Sequence, residues 1–225
     1  MPAGGGYILG IIVTVSRQLG ARGENVACEV AETLSLRVLG QEIIHEAMQA
    51  GVPKEIAMES EEGKRSWAQK ALDWLKRKQD VPPSPGAMMT SDSAYISTGL
   101  LSSENYYRSV MESIIFDLTQ TDDVLLIGRA GQMIFRDSPN CFHVRIVAPL
   151  EKRVPVIEER FDTSLEEAQH KIEETDQARA NHLKRHYDVD INDVDLYDLC
   201  INTGTVSADT AVQLIVEAVR AAGLK

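Results

Sequence analysis

"YILGIIVTVSRQLGARGENVACEVAETLS" (residues 7–35) carries the strongest structural signal in the chain. Its opening run, "YILGIIVTV", is nearly unbroken apolar sequence rich in β-branched residues, the pattern of a parallel strand covered on both faces. Gly20 and Gly23 then break the pattern, and Val26, Ala27, Val30 and Leu34 follow at helical spacing. Strand, glycine-bearing turn and helix in that order can build an anion site. Glycines let several N–H groups converge on one ligand, and the helix start adds its positive end. The turn does not spell the phosphate-loop pattern G-x-x-x-x-G-K-[ST]. Gly23 matches the second glycine, but Gln18 stands at the first, Glu24 at the lysine and Asn25 at the Ser/Thr position. Taken alone, the turn reads equally as a phosphate cradle and as a strand–helix turn with no ligand. Arg17 and Arg22 can supply the missing positive charge, because a guanidinium pairs well with phosphate. Glu24 would repel a phosphate unless its side chain turned away or bound a metal.

Outward from this stretch, "LRVLG" (36–40), "DVLLIG" (123–128), "CFHVRIVA" (141–148) and "LYDLCINTG" (196–204) read as further short strands. Helices are predicted over 41–51, 54–79 and 102–120, the last with an N-cap at Ser102 or Ser103, and after Pro149. Another runs over 164–187, where Ser164 and Glu167 fit a capping box, and a last one follows the N-cap Ser207. Residues 80–99 form a Pro/Ser/Gly-rich loop. Five short strands alternating with helices predict an α/β fold, a parallel sheet with helices on both faces. The 225 residues suit one domain with an inserted lobe, and no linker-like composition divides them.

Composition narrows the function classes. A net charge of −11 argues against non-specific binding to nucleic acid or anionic membrane. The apolar run 7–15 lacks a basic flank and is too short to span a bilayer. Cys28, Cys141 and Cys200 are odd in number and widely spaced, which reads as buried free thiols in a reducing cytoplasm.

In an open parallel sheet, ligands bind beyond the carboxyl ends of the strands, here at loops 16–24, 40–42, 128–132, 148–153 and 203–207. Gly128-Arg129 comes straight off one strand, where an arginine can hold an anion; Gly131 reads as a turn residue. Arg153, Arg160, Arg179, Lys184 and Arg185 cluster around the predicted helix–turn–helix 150–187, and Asp176 and Arg179 share a face one turn apart. In an acidic chain, this set beside two anion-suited loops suggests a closing lid for phosphoryl transfer.

Three segments together resemble the cytidylate kinase-like family, relatives of bacterial cytidylate kinase. They are "IIVTVSRQLGARGENVACEVAETL" followed by "LGQEIIHEA", "VLLIGRAGQMIFRDSPNCFHVRIVAPLEKRV", and "DQARANHLKRHYDVDINDVDLYDLCINTG". The resemblance implies a P-loop NTPase-like three-layer fold with a five-stranded parallel sheet. Its core would be 7–39, 104–149 and 196–225, with a nucleoside monophosphate (NMP)-binding lobe at about 40–103 and a lid at about 150–187. It implies ATP-dependent phosphoryl transfer to a CMP- or dCMP-like nucleoside monophosphate or a related small phosphate acceptor. The alternative is a catalytically weak or inactive nucleotide-binding regulatory module, motivated by Glu24 and by Ala130 after the GR pair. ATP phosphates would lie on Ser16, Leu19, Gly20, Ala21, Arg22, Gly23, Glu24 and Asn25, with Mg²⁺ reached by Ser16 or Asn25. Arg22 would replace the lysine, Arg153 and Arg160 would act as lid arginines, and Gln41, Arg129, Asp176 and Arg179 would hold the acceptor. Asn202 and Thr203 would lie near the donor base. The implied partners are small-molecule nucleotides only, with the chain a cytoplasmic monomer or weak homo-oligomer.

Overall fold

The computed structural model describes residues 10–40, 112–119 and 122–224. The helices predicted over 41–51 and 54–79, the 80–99 loop, the Ser102/Ser103 cap, the 40–103 lobe boundary and Gln41 fall outside them or run beyond them. Five strands form one parallel sheet in the order β2-β3-β1-β4-β5. They are β1 (Ile12–Arg17), β2 (Arg37–Leu39), β3 (Val124–Ile127), β4 (Cys141–Val147) and β5 (Leu199–Asn202). Helices α1 (Gly23–Leu34), α2 (Gly131–Ile134), α3 (Leu150–Phe161), α4 (Leu165–Tyr187) and α5 (Ala208–Ala221) connect and cover them. Residues 112–118 are also helical. This is the expected three-layer α/β arrangement, a five-stranded parallel sheet with helices on both faces.

β1 lies at the centre, paired in parallel with β3 (Val13 beside Leu125) and β4 (Val13 beside Phe142). All six of its residues are buried, the polar Thr14, Ser16 and Arg17 included, so the strand shows no exposed–buried alternation. The strand period of two still sorts the two faces. Val13 and Val15 join Val26 and Val30 of α1 and Ile215, Val216 and Val219 of α5 in one core. Ile12 joins Leu39, Val124, Leu126, Ile115 and Phe135 on the opposite face. Burying each such Val, Leu, Ile or Phe contributes roughly 1.5–3 kcal/mol relative to exposure.

β1 runs two residues further than its apolar sequence indicates. Ser16 and Arg17 are strand residues, paired with Arg145 and Ile146, so the turn proper begins at Gln18. The last strand is shorter than predicted, because Val194–Leu196 is a 3₁₀ turn. Pro149 precedes α3, Ser164 and Glu167 form the capping box of α4, and Ser207 caps α5 through Thr210 N. The cysteines are free, but Cys28 and Cys200 are exposed, contrary to the buried reading. Cys28 lies on the outer side of α1 and Cys200 on the edge strand β5.

Two glycines are required by close approach of neighbouring atoms. Gly20 has φ 82°, and a Cβ there would lie 2.8 Å from the Arg153 carbonyl oxygen. Gly20→Ala is expected to lower the unfolding free energy by at least about 1 kcal/mol. Urea unfolding checks this, and an unchanged midpoint would contradict the close approach. Gly131 is not the turn residue it was read as: a Cβ there would lie 2.6 Å from Leu126 Cδ2, so it serves the close seating of α2 on the sheet. The turn is made instead by Gly128, Arg129 and Ala130, three consecutive residues at positive φ (74°, 56° and 53°).

Candidate active site

The turn from Gln18 to Arg22 joins β1 to α1 and is tied down on three sides. Gln18 N donates to Ile146 O, and Gln18 Oε1 accepts from Ala148 N at 3.1 Å. The Thr203 hydroxyl donates to Ala21 O at 2.8 Å, so Thr203 braces the turn from the end of β5. The α3–α4 hairpin supplies the third side. Leu19 N donates to Asp176 Oδ1 at 2.9 Å, and Arg153 Nη1 donates to Leu19 O at 3.1 Å. The Leu19 side chain is buried among Val154, Ile157, Ala168 and Ile172 of that hairpin. Arg179 Nη1 donates to Arg17 O at 3.0 Å.

α1 begins directly after this turn, so Gly23, Glu24 and Asn25 carry its first N–H groups, which have no preceding helical turn to accept them. Arg22 occupies the N-cap position at φ 57° with no side-chain cap. A left-handed arginine is less favourable than a glycine by roughly 1–2 kcal/mol. Gly23 cannot carry a side chain, since a Cβ there would meet Arg17 Cβ at 2.6 Å.

A cavity of about 400 Å³ opens over this turn, lined by Arg17, Gln18, Leu19, Gly20, Arg22, Gly23, Glu24, Asn25, Val156, Glu159 and Arg160. Two of the cations are engaged by Glu24. Its Oε1 lies 3.2 Å from Arg17 Nη2 and its Oε2 lies 2.9 Å from Arg160 Nη1. Burial pushes the Glu24 carboxyl up, but the Arg160 hydrogen bond and the Arg17 charge outweigh it, leaving it below its ordinary 4.5. The stabilisation from this pairing is therefore present above 4.5 and is lost as pH falls through the lowered value.

A second, smaller cavity lies on the other side of the β1 end. Its walls include Ser16, Arg17, Arg129, Gln132, Arg179 and His182. Arg17 thus lines both cavities. Ser16 does not line the first: its hydroxyl accepts from Arg145 Nη1 at 2.7 Å and approaches the Tyr197 hydroxyl at 3.5 Å. Tyr197 donates to Ile191 O at 2.9 Å; burial pushes its phenol up and keeps it a donor.

The sequence-derived residues therefore divide. Gly20, Arg22, Gly23, Glu24, Asn25 and Arg160 line the first cavity together with Leu19, and Arg129 and Arg179 line the second. Ala21 is buried in the core beside the turn. Arg153 and Asp176 form a 2.6 Å ion pair that grips the Leu19 backbone, and Arg179 lies 4.0 Å from Asp176. The Asn202 side chain accepts from Gly204 N. Arg145, Gln132 and Tyr197 were not singled out from sequence. Arg145 carried a readable signal, an arginine inside the apolar strand run "CFHVRIVA". It is 5% exposed, so its charge needs dedicated polar partners.

The model of the cytidylate kinase-like family matches residues 12–205. Among curated relatives, the cytidylate kinase of Natronomonas pharaonis is 34% identical over 101 residues, 44% of this chain and 52% of that protein. That of Methanopyrus kandleri is 30% identical over 111 residues, 46% of this chain and 58% of that protein. The chain spans about half the length of the curated relatives it matches. An uncharacterized protein from Eubacterium ventriosum has a crystal structure that superimposes with TM-score 0.59 at 18% identity, over 93% of this chain and 98% of that one. With a family match running from the central strand through the end of the β5 turn, the chain belongs to the cytidylate kinase-like family.

Proposed function

We propose that the protein transfers a phosphoryl group from ATP to a nucleoside monophosphate of the CMP or dCMP kind, or to a related small phosphate acceptor. The observation that carries this reading is the position of Arg17 in the walls of both cavities. In-line transfer needs donor and acceptor phosphates side by side, with cations on the group that moves. On this reading, the donor phosphates lie over Gly20–Asn25, against the first N–H groups of α1 and the side chains of Arg22 and Arg160. The acceptor phosphate lies against Arg129 and Arg179. Arg17 and the α3–α4 hairpin keep the two apart from water.

Among the described residues no group of three or more His, Cys, Asp or Glu side chains could hold a metal ion. On the proposed reading a Mg²⁺ ion would arrive on the nucleotide phosphates and add charge neutralisation there. Asn25, exposed on the cavity wall, would offer it a protein oxygen, whereas the Ser16 hydroxyl faces the Arg145 guanidinium. Among the described residues no helix is long and apolar enough to cross a membrane. We read the partners as small-molecule nucleotides, with no role for nucleic acid, and the chain as a cytoplasmic monomer or weak homo-oligomer.

Purified protein with ATP, Mg²⁺ and a panel of CMP, dCMP, UMP and AMP is expected to form ADP with the cytosine nucleotides foremost. Folded protein that stays silent across the panel would remove the kinase reading. The second reading, a nucleotide-binding regulatory module, is favoured by Glu24, which already pairs with two cavity arginines. Its signature is ATP or CMP binding by calorimetry without turnover.

A further inference from the structure

Glu24 is held by the groups that would hold a phosphate. Its carboxylate sits on the first turn of α1, where a negative charge is favoured by the helix N-terminus. Its two oxygens are divided between guanidinia from different elements, Arg17 at the end of β1 and Arg160 in the last turn of α3. Arg17 is 5% exposed and its side-chain stem packs closely against Gly23. Arg160 sits at the rim, its side chain 55% exposed, and is free to follow a ligand. Glu159 provides an internal comparison: it lines the same cavity, yet among the described residues it pairs with no cation.

We infer that Glu24 is a specificity-determining residue, an internal anion that a ligand phosphate displaces from Arg17 and Arg160 on entering the cradle. The inference rests on the donor-phosphate reading of that cavity. A tethered carboxylate competes at an effective concentration of roughly millimolar. A lone phosphate that meets only the two arginines has little to set against this. A triphosphate chain carries more charge and adds contacts along the turn and the α1 amides, so it prevails. The chain thereby selects polyphosphate donors over free phosphate without a lysine in the loop.

Calorimetry on the full chain tests this, with inorganic tripolyphosphate, inorganic phosphate and ATP as probes at one ionic strength. Glu24→Gln and Glu159→Gln each remove one negative charge from the same cavity, but only the first removes the carboxylate that bridges Arg17 and Arg160. Glu24→Gln is expected to tighten tripolyphosphate at least about tenfold and to make inorganic phosphate binding measurable, with Glu159→Gln changing either by less than about threefold. Glu24→Ser serves as a second variant with the same expected direction, and thermal melts establish that each is folded. Equal gains in the two glutamine variants would reduce the effect to the general field of the cavity and overturn the inference. Weaker binding in the Glu24 variants would also overturn it, because Glu24 would then be orienting the arginines for the ligand. If no form, wild type included, binds tripolyphosphate or ATP, the cradle reading itself falls and this inference with it.

Discussion

Asp176→Ala is expected to destabilise the protein by about 3 kcal/mol, seen as a lower urea midpoint with the m-value unchanged. The carboxylate of Asp176 accepts from Leu19 N and from Arg153 Nη1, with Arg179 Nη1 4.0 Å from Oδ1. Removing it strips Leu19 N of its acceptor. It also leaves a guanidinium that is 9% exposed without its carboxylate. Breaking one half of a buried pair is costlier than replacing both halves, because the remaining charge is uncompensated. The double variant Arg153→Met with Asp176→Ala is therefore expected to be destabilised by at least about 1 kcal/mol less than the sum of the two single destabilisations. Strict additivity would sink this account. If the chain is the proposed kinase, the same variant is expected to lower kcat/KM by on the order of 100-fold, since the cradle backbone loses its hold on the hairpin.

Arg129→Met is expected to lower kcat/KM for the phosphate acceptor by roughly 100- to 1000-fold, with ATP affinity within about threefold of wild type. Arg129 is 8% exposed, comes off the end of β3 in a left-handed conformation and lines the second cavity. It does not line the first, so a loss confined to the acceptor follows from the proposed assignment. Arg129→Lys tests the geometry further. A point-charge ammonium lacks the planar fork, and is expected to recover only part of the loss. An acceptor KM and kcat left unchanged by Arg129→Met would refute the acceptor role.

The sheet and its helices were legible because the signals for them are local. "IIVTV" and "VLLI" are apolar without alternation, Ser164 and Glu167 stand three residues apart, and Ser207 precedes an amphipathic run. The extent of β1 was not legible, because Ser16 and Arg17 are polar and their strand pairing depends on Arg145 and Ile146 of a distant segment. Residue types at the candidate site were legible too, but their partners were not. The sequence offered Glu24 only as repelling a phosphate, turning away or binding a metal, whereas it bridges Arg17 and Arg160. Its Glu24–Arg160 half joins positions 136 residues apart, which no local pattern encodes. Gly131 was misread for the same reason: its constraint comes from Leu126 and Thr14 across the sheet, not from its own backbone angle.

The central seat of β1 has a consequence for how the chain comes off the ribosome. β1 is synthesised first among the described strands, but both of its neighbours, β3 and β4, lie more than a hundred residues downstream. At roughly 5–20 residues per second, on the order of ten seconds pass before β3 can pair with it. During that interval the β-branched, uncharged run Ile12–Val15 has two open edges exposed to the cell, the kind of sequence that seeds intermolecular pairing. The same strand that organises the finished sheet is thus an aggregation hazard of the nascent chain and a point of capture for a holdase chaperone.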